Sequence, residues 1–187
     1  LGAFASVNIG DSAPNFTLQS TTGEPVNLSD YANKTVVLEW TNYGCPFVRK
    51  YYDAGAMQEL QTAATNMSDL NVAWFSIISS AEGKQGYLEA TEEGQAAVAA
   101  EHFRGDAVLL DPTGEVGKTY GATNTPHMFV IHNGQVVYQG AIDSIRSVNP
   151  ADLEKAENYV MSALLNLAAG EPIATAQTKA YGCSVKY

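Results

Sequence analysis

Three short runs of nearly continuous apolar residues constrain the fold more strongly than any other feature of this sequence. They span residues 36–40, 72–78 and 107–110, and segments with helical spacing separate the first two. Strands buried on both faces have this composition, because helices cover both sides of a parallel sheet. Alternation of such strands with helices predicts an α/β sandwich with a mixed central sheet.

Periodicity and turn residues predict the remaining elements. Helices are expected at 46–64, at 90–103 and, from the cap Asn149 to the stop Gly170, at 150–169. A tail of residues 171–187 follows, and no linker interrupts the chain, so residues 1–187 are expected to form one domain. Two β-hairpins are predicted, with strands 16–18 and 26–28 around Thr22-Gly23 and strands 128–131 and 136–139 around Asn133-Gly134.

The composition excludes several classes of function. The formal net charge is −10, so the basic surface of a nucleic-acid-binding protein is absent. No apolar run reaches the ~18 residues that a membrane span needs. The two cysteines are too few for a disulfide scaffold or a zinc ribbon, and the three histidines show no metal-ligand spacing. We therefore expect no metal and no cofactor.

The first residues suggest export. Ala3-Phe4-Ala5 has the small-x-small pattern that precedes a signal-peptidase cut, although a tag remnant would look the same. Residues 1–8 are interpreted as a leader remnant or an extended N-terminus. A periplasmic or otherwise exported protein would be allowed lasting disulfides.

Cys45 is the residue best placed for chemistry. It follows a buried strand, and Pro46 at the first helical position puts it next to the N-cap of a helix. Unpaired backbone N–H groups and the helix dipole stabilise a thiolate there, and the thiolate is the nucleophile. Arg49, one turn on, could add positive charge. The alternative is an inert cysteine that fills a gap in the core.

Glu39 and Thr125-Pro126 are further candidates. A carboxylate within the apolar run 36–40 is costly unless it is paired or protonated, and burial should raise the pKa of Glu39 toward a value useful for proton transfer. We expect Glu39→Leu to leave folding intact or improve it, because it removes a buried unpaired carboxyl, and to slow turnover of the Cys45 disulfide. The alternative is a strand-end glutamate in water. Pro126 opens a strand, and the residues alone do not decide whether its bond is cis or trans.

Three segments resemble the thioredoxin superfamily: residues 36–48, residues 121–130 and Asn133-Gly-Gln-Val-Val137. The motif Gly44-Cys-Pro-Phe-Val-Arg-Lys50, together with the closing Tyr181-Gly-Cys-Ser-Val-Lys-Tyr187, resembles an exported bacterial branch of the redoxin, or AhpC/TSA peroxiredoxin-like, family. The resemblance implies a thioredoxin-like α/β/α sandwich with a mixed central sheet and an N-terminal β-hairpin.

The same resemblance implies roles for individual residues. Cys45 matches the reactive cysteine, whereas Val48 stands where the second cysteine of a Cys-x-x-Cys motif would be. Glu39 matches the buried acid. Pro126 matches the cis-proline that faces the thiol, and Thr125 the residue whose backbone pairs with an incoming peptide. His127 is a looser candidate for proton handling.

The sequence also departs from typical peroxiredoxins. Leu38 and Asn42 occupy the positions of their proline and threonine, and Pro126 replaces a strand arginine. Asn42 and Arg49 are the candidates to substitute at the peroxide site.

Three functions remain open at this point. The first is a redoxin-type oxidoreductase in which Cys45 attacks a peroxide or a disulfide and Cys183 resolves the product. The second is a thiol–disulfide oxidoreductase that acts on protein disulfides. The third is a redox-inactive binding module with a structural disulfide. The expected partners are a peroxide or disulfide substrate and an external, thioredoxin-like thiol reductant, and the protein is expected to be a monomer or a homodimer.

Overall fold

The three apolar runs form the parallel centre of a seven-stranded sheet. The computed structural model describes residues 7–187, so Ala3-Phe4-Ala5 lies outside the described residues. The elements are β1 (Thr17–Ser20), β2 (Pro25–Asn27), β3 (Thr35–Trp40), α1 (Pro46–Asp53), α2 (Ala56–Thr65), β4 (Val72–Ile78), α3 (Glu92–Ala100), β5 (Ala107–Leu110), α4 (Glu115–Tyr120), β6 (Asn124–Thr125), β7 (His127–His132), β8 (Gln135–Gly140), α5 (Tyr159–Ala168) and β9 (Cys183–Ser184).

The sheet is mixed, as predicted. Its strands lie in the order β2-β1-β5-β4-β3-β7-β8. Strand β4 pairs in parallel with β3 and β5, whereas the other pairs are antiparallel. Both predicted hairpins are present, and Asn133 and Gly134 take the positive φ values, 51° and 77°, that a tight two-residue turn requires.

Hydrophobic residues pack on both faces of this sheet. On one face Val37 joins a cluster with side chains of α1, α2 and α5. On the other face Val36, Leu38 and Trp40 pack with Phe16 of the N-terminal segment. This alternation along β3 puts Glu39 on the same face as Val37, which is the face that α1 covers.

Two predicted helices are wrong in their extent. The helix predicted at 46–64 is two helices, because Gly55 adopts the left-handed conformation with φ of 74° between α1 and α2. At 150–152 there is only a short 3-10 turn, and α5 begins after the cap Asn158. Backbone bonds from Ser144 N to Glu157 O and from Tyr159 N to Ile142 O hold this stretch in a non-helical path.

The tail after α5 is anchored along its length. Thr178 N donates to Gln139 O at 3.1 Å, so the tail runs beside β8. Strand β9 then pairs antiparallel with β6, with Cys183 opposite Thr125. At the other end of the chain Val7 is buried, and its carbonyl accepts from Gln139 Nε2 at 2.6 Å. Within residues 7–187 we find no helix with the length and apolarity to cross a membrane.

Gly140 should be the glycine of the β7–β8 hairpin that tolerates alanine least. Its φ is 139°, and an added Cβ would lie 2.4 Å from the backbone oxygen of Thr178. Gly134 is the matched control, because its φ is 77° but no atom lies within 4 Å of an added Cβ. We expect Gly134→Ala to cost about 1–2 kcal/mol of unfolding free energy and Gly140→Ala to cost more, as measured by denaturant titration. Equal losses of unfolding free energy in the two variants would contradict this prediction, because they would mean that Thr178 moves aside for the added Cβ at little cost.

Candidate active site

Cys45 lies at the N-terminus of α1, where the sequence predicted it. It is the N-cap residue, Pro46 is the first helical residue, and Arg49 N donates to Cys45 O at 2.8 Å. Asn42 shapes the turn before it. Its carbonyl accepts from Cys45 N at 3.0 Å and its side-chain oxygen accepts from Gly44 N at 2.9 Å. Asn42 therefore positions the turn that carries the thiol.

The two sulfur atoms are brought together in the fold. Cys45 Sγ lies 2.6 Å from Cys183 Sγ, although the residues are 138 positions apart. The Cys45 thiol is buried and donates to Thr125 O at 3.3 Å. The Thr125–Pro126 peptide bond is cis, as the family resemblance implied. The β6 edge, Cys45 and the tail thus meet at one point.

The two thiols differ in acidity. Burial acts to raise the pKa of Cys45, but its contacts with Cys183 and Thr125 and the backbone N–H groups of Val48 and Cys183 bring that pKa below its ordinary value. Burial and the contact with Cys45 raise the pKa of Cys183. Cys45 is therefore the thiol that ionises first, and the thiolate is the reactive form.

Glu39 is fully buried on the face of the sheet that α1 covers, and four side chains donate hydrogen bonds to its carboxyl. Its carboxyl accepts from Ser76 Oγ at 2.6 Å, from Tyr52 OH at 2.9 Å, from Trp74 Nε1 at 3.2 Å and from Gln61 Nε2 at 3.4 Å. Burial raises the pKa of Glu39 to about 7, although the hydrogen bonds from Ser76, Tyr52 and Trp74 act to lower it. The expectation of an unpaired carboxyl is wrong, because these four donors pair with it. Leucine at this position would leave the buried donors without an acceptor, so Glu39→Leu should destabilise the fold rather than improve it.

Arg49 and His127 do not join the thiols. Arg49 forms ion pairs with Asp53 and, at 2.7 Å, with Glu101, so its charge is engaged elsewhere. The His127 ring stacks on Phe129 at 4.7 Å, and Phe129 belongs to the hydrophobic cluster on the face of the sheet that α1 does not cover. Burial lowers the pKa of His127 to about 4, which keeps the ring neutral at pH 7.

The partners of Glu39 were missed from the sequence. Ser76 was the available signal, because it is a polar residue within the otherwise apolar run 72–78. A buried polar side chain needs a hydrogen-bond partner. The parallel pairing of β3 with β4 sets Ser76 directly opposite Glu39.

Sequence and structure comparisons assign the family. The Redoxin family model matches residues 8–159. The chain belongs to the redoxin family. This redoxin is thus a thioredoxin-like, thiol-based redox protein. The match ends before the tail that carries Cys183. No curated protein matches the sequence.

Solved structures share the fold of this redoxin. A hypothetical protein of Sinorhizobium meliloti is 26% identical with a TM-score of 0.76, and the match covers 98% of this chain and 96% of that chain. A conserved protein of Geobacillus kaustophilus has the same identity and TM-score, with coverages of 96% and 92%. A Chlorobium tepidum protein assigned to thiol:disulfide interchange (DsbE) is 24% identical, with a TM-score of 0.61 and coverages of 87% and 99%.

Glu39 should make stability fall as the pH rises. Its pKa is about 7 in the folded protein, above the ordinary 4.5, so the stability is fully present below pH 4.5 and is lost as the pH rises through 7. At about 1.4 kcal/mol per pKa unit, this interval corresponds to about 3 kcal/mol. Glu39→Gln should lack this loss. The measurement is urea unfolding of both proteins from pH 4 to 8, and a constant difference between them would contradict the raised pKa.

Proposed function

We propose that this redoxin is a thiol–disulfide oxidoreductase whose reactive pair is Cys45 and Cys183. The observation that carries the proposal is the 2.6 Å separation of the two sulfur atoms at the N-terminus of α1. The lowered pKa of Cys45 supports its role as the attacking thiol. Cys183 then supplies the second thiol that a Cys-x-x-Cys motif would have at Val48.

The proposed reaction has two exchange steps. The Cys45 thiolate attacks one sulfur of a substrate disulfide, forms a mixed disulfide and releases the other substrate sulfur as a thiolate. Cys183 loses its proton and attacks Cys45 Sγ, which closes the Cys45–Cys183 disulfide and releases the second substrate thiolate. Two electrons pass to the substrate. An external dithiol reductant, itself oxidised to a disulfide, returns the pair to the reduced state.

Glu39 has a supporting role in this proposal. Its pKa of about 7 lets the carboxyl hold or give up a proton near neutral pH, and it lies on the face of the sheet that α1 and Cys45 cover. It is a candidate proton store for the thiolates formed in the two steps.

Peroxide reduction is a second candidate. The Cys45 side chain is fully buried, which favours a substrate as small as a peroxide. The thiolate would attack one peroxide oxygen, form a sulfenic acid and release water or an alcohol, and Cys183 would displace water to close the disulfide. The ion pairs of Arg49 with Asp53 and Glu101 weigh against peroxide reduction, because the guanidinium that could activate a peroxide is already paired with two carboxylates.

The proposal includes export of this redoxin to an oxidising compartment. A Cys45–Cys183 disulfide persists more readily in an oxidising compartment. As a fixed bond it would close a loop of 138 residues, and the chain-entropy model gives such a loop about 5 kcal/mol of stabilisation. The third reading, a binding module with a structural disulfide, predicts this stabilisation without turnover.

The substrate is tested by dithiol-driven turnover of a protein disulfide and of hydrogen peroxide. We expect the wild type to reduce the protein disulfide catalytically, because Cys183 completes each exchange. Cys45→Ser should be inactive, and Cys183→Ser, mixed with the protein disulfide in the absence of the dithiol, should stop as a mixed disulfide visible by intact mass. Faster consumption of peroxide than of the disulfide would favour the second candidate. Full activity of Cys45→Ser, or no turnover of either substrate, would exclude both.

A further inference from the structure

The tail that carries Cys183 is fastened on both sides of this residue. Downstream, Tyr187 OH donates to Ala122 O at 2.6 Å. Upstream, the hydroxyl of Tyr181 donates to Asp143 Oδ1. Tyr181 is buried and lies only two residues before Cys183. Its hydroxyl is therefore the anchor that a side chain of the tail itself supplies just before Cys183, and Asn124 Nδ2 adds a bond to Gly182 O at 2.9 Å.

Asp143 is the centre of this anchor. The carboxylate is buried and accepts hydrogen bonds from Tyr181 on one oxygen and from Tyr51 on the other. Ile145 N donates to it at 3.0 Å, and Lys50 Nζ lies 3.9 Å away. A buried carboxylate needs such partners to offset its lost hydration. None of these contacts enters the chemistry described for Cys45.

The residues that hold Asp143 and Tyr181 belong in part to α1, the helix that carries Cys45. Lys50 and Tyr51 belong to α1, whose N-cap is Cys45. Lys50 Nζ lies 5.6 Å from the centre of the Tyr181 ring. That ring packs edge-to-face with the ring of Phe47 of the same helix, and the two ring centres are 5.8 Å apart. Helix α1 therefore sets the position of Cys45 directly. It holds Tyr181 through these ring contacts, through a hydrogen bond from Lys50 Nζ to the Tyr181 hydroxyl at 3.5 Å, and through Asp143.

We propose that Asp143 is a positioning residue for Cys183, because through the Tyr181 hydroxyl it holds the tail strand across the Cys45 thiol. Its effect on turnover rests on the proposed function, whereas its hold on the tail does not. When the Asp143–Tyr181 bond is lost, the tail leaves Cys45 more often. Cys45 then becomes accessible more often and meets Cys183 less often.

Alkylation of Cys45 measures the hold on the tail. In the reduced Cys183→Ser protein, Cys45 is the only thiol, and it reacts with iodoacetamide only while the tail is lifted, so the rate reports the open fraction. Adding Tyr181→Phe keeps the ring against Phe47 but removes the hydroxyl. Hydrogen bonds to charged groups are among the stronger ones in proteins. We therefore expect Cys45 to be alkylated about tenfold faster, or more, than in the Cys183→Ser protein without Tyr181→Phe.

Tyr120→Phe in the same Cys183→Ser background is the matched control. The substitution also removes a hydroxyl that donates a hydrogen bond, here to Pro14 O, but Tyr120 belongs to the hydrophobic cluster on the opposite face of the sheet. We expect its alkylation rate to stay at the background value. Equal rates in the Tyr181→Phe and Tyr120→Phe proteins would overturn the proposal. If Tyr181→Phe does not fold, as judged by circular dichroism, Asp143→Asn takes its place, with the same expected acceleration and the same overturning result.

A second measurement separates this proposal from the proposed function. With Cys183 present, Tyr181→Phe should shift the equilibrium between the Cys45–Cys183 disulfide and a dithiothreitol buffer toward the reduced form, by up to about tenfold, as read by thiol labelling and mass. If no disulfide forms in the wild type, the proposed function fails while the alkylation result still decides the role of Asp143. If the disulfide forms and alkylation is unchanged, only the positioning proposal fails.

Discussion

The backbone pairing between Thr125 and Cys183 sets the geometry of the whole site. Thr125 faces Cys183 across the β6–β9 ladder, and its carbonyl also accepts from the Cys45 thiol. The tail approaches this edge closely because residue 182 is glycine: with φ of 132°, an added Cβ would lie 2.0 Å from Thr125 O. The separation of the sulfur atoms therefore depends on a missing side chain at Gly182 as much as on the cysteines.

Helix α1 also connects two buried carboxyl groups. Its adjacent residues Tyr51 and Tyr52 donate to Asp143 and to Glu39, respectively. Glu39 is surrounded by uncharged donors, and its pKa is about 7, whereas Asp143 has the buried Lys50 ammonium 3.9 Å away. The two carboxyl groups thus differ in their partners: neutral donors surround Glu39, whereas Asp143 has an amine beside its two tyrosines.

The parts of the fold that depend on local pattern were predictable from the sequence. The apolar run at 36–40, Pro46 after Cys45 and the Asn133-Gly134 turn all led to the observed elements. The break at Gly55 comes from the left-handed conformation of that glycine, which the spacing of the apolar residues does not report. The non-helical path before α5 was not predictable, because helical spacing continues through it and tertiary hydrogen bonds decide it. For the same reason the sequence did not show the pairing of Arg49 with the distant Glu101, whereas the pairing with Asp53, four residues on in the same helix, was open to prediction.

The β6 edge beside the cis-proline is already occupied by the protein's own tail. A strand joined to the fold through residues 169–182 acts as a ligand at an effective concentration in the millimolar range or higher. A foreign polypeptide that pairs with Thr125 must compete with that internal ligand, which lowers its apparent affinity for this edge. Selectivity of this kind comes from the connectivity of the chain rather than from the shape of a pocket.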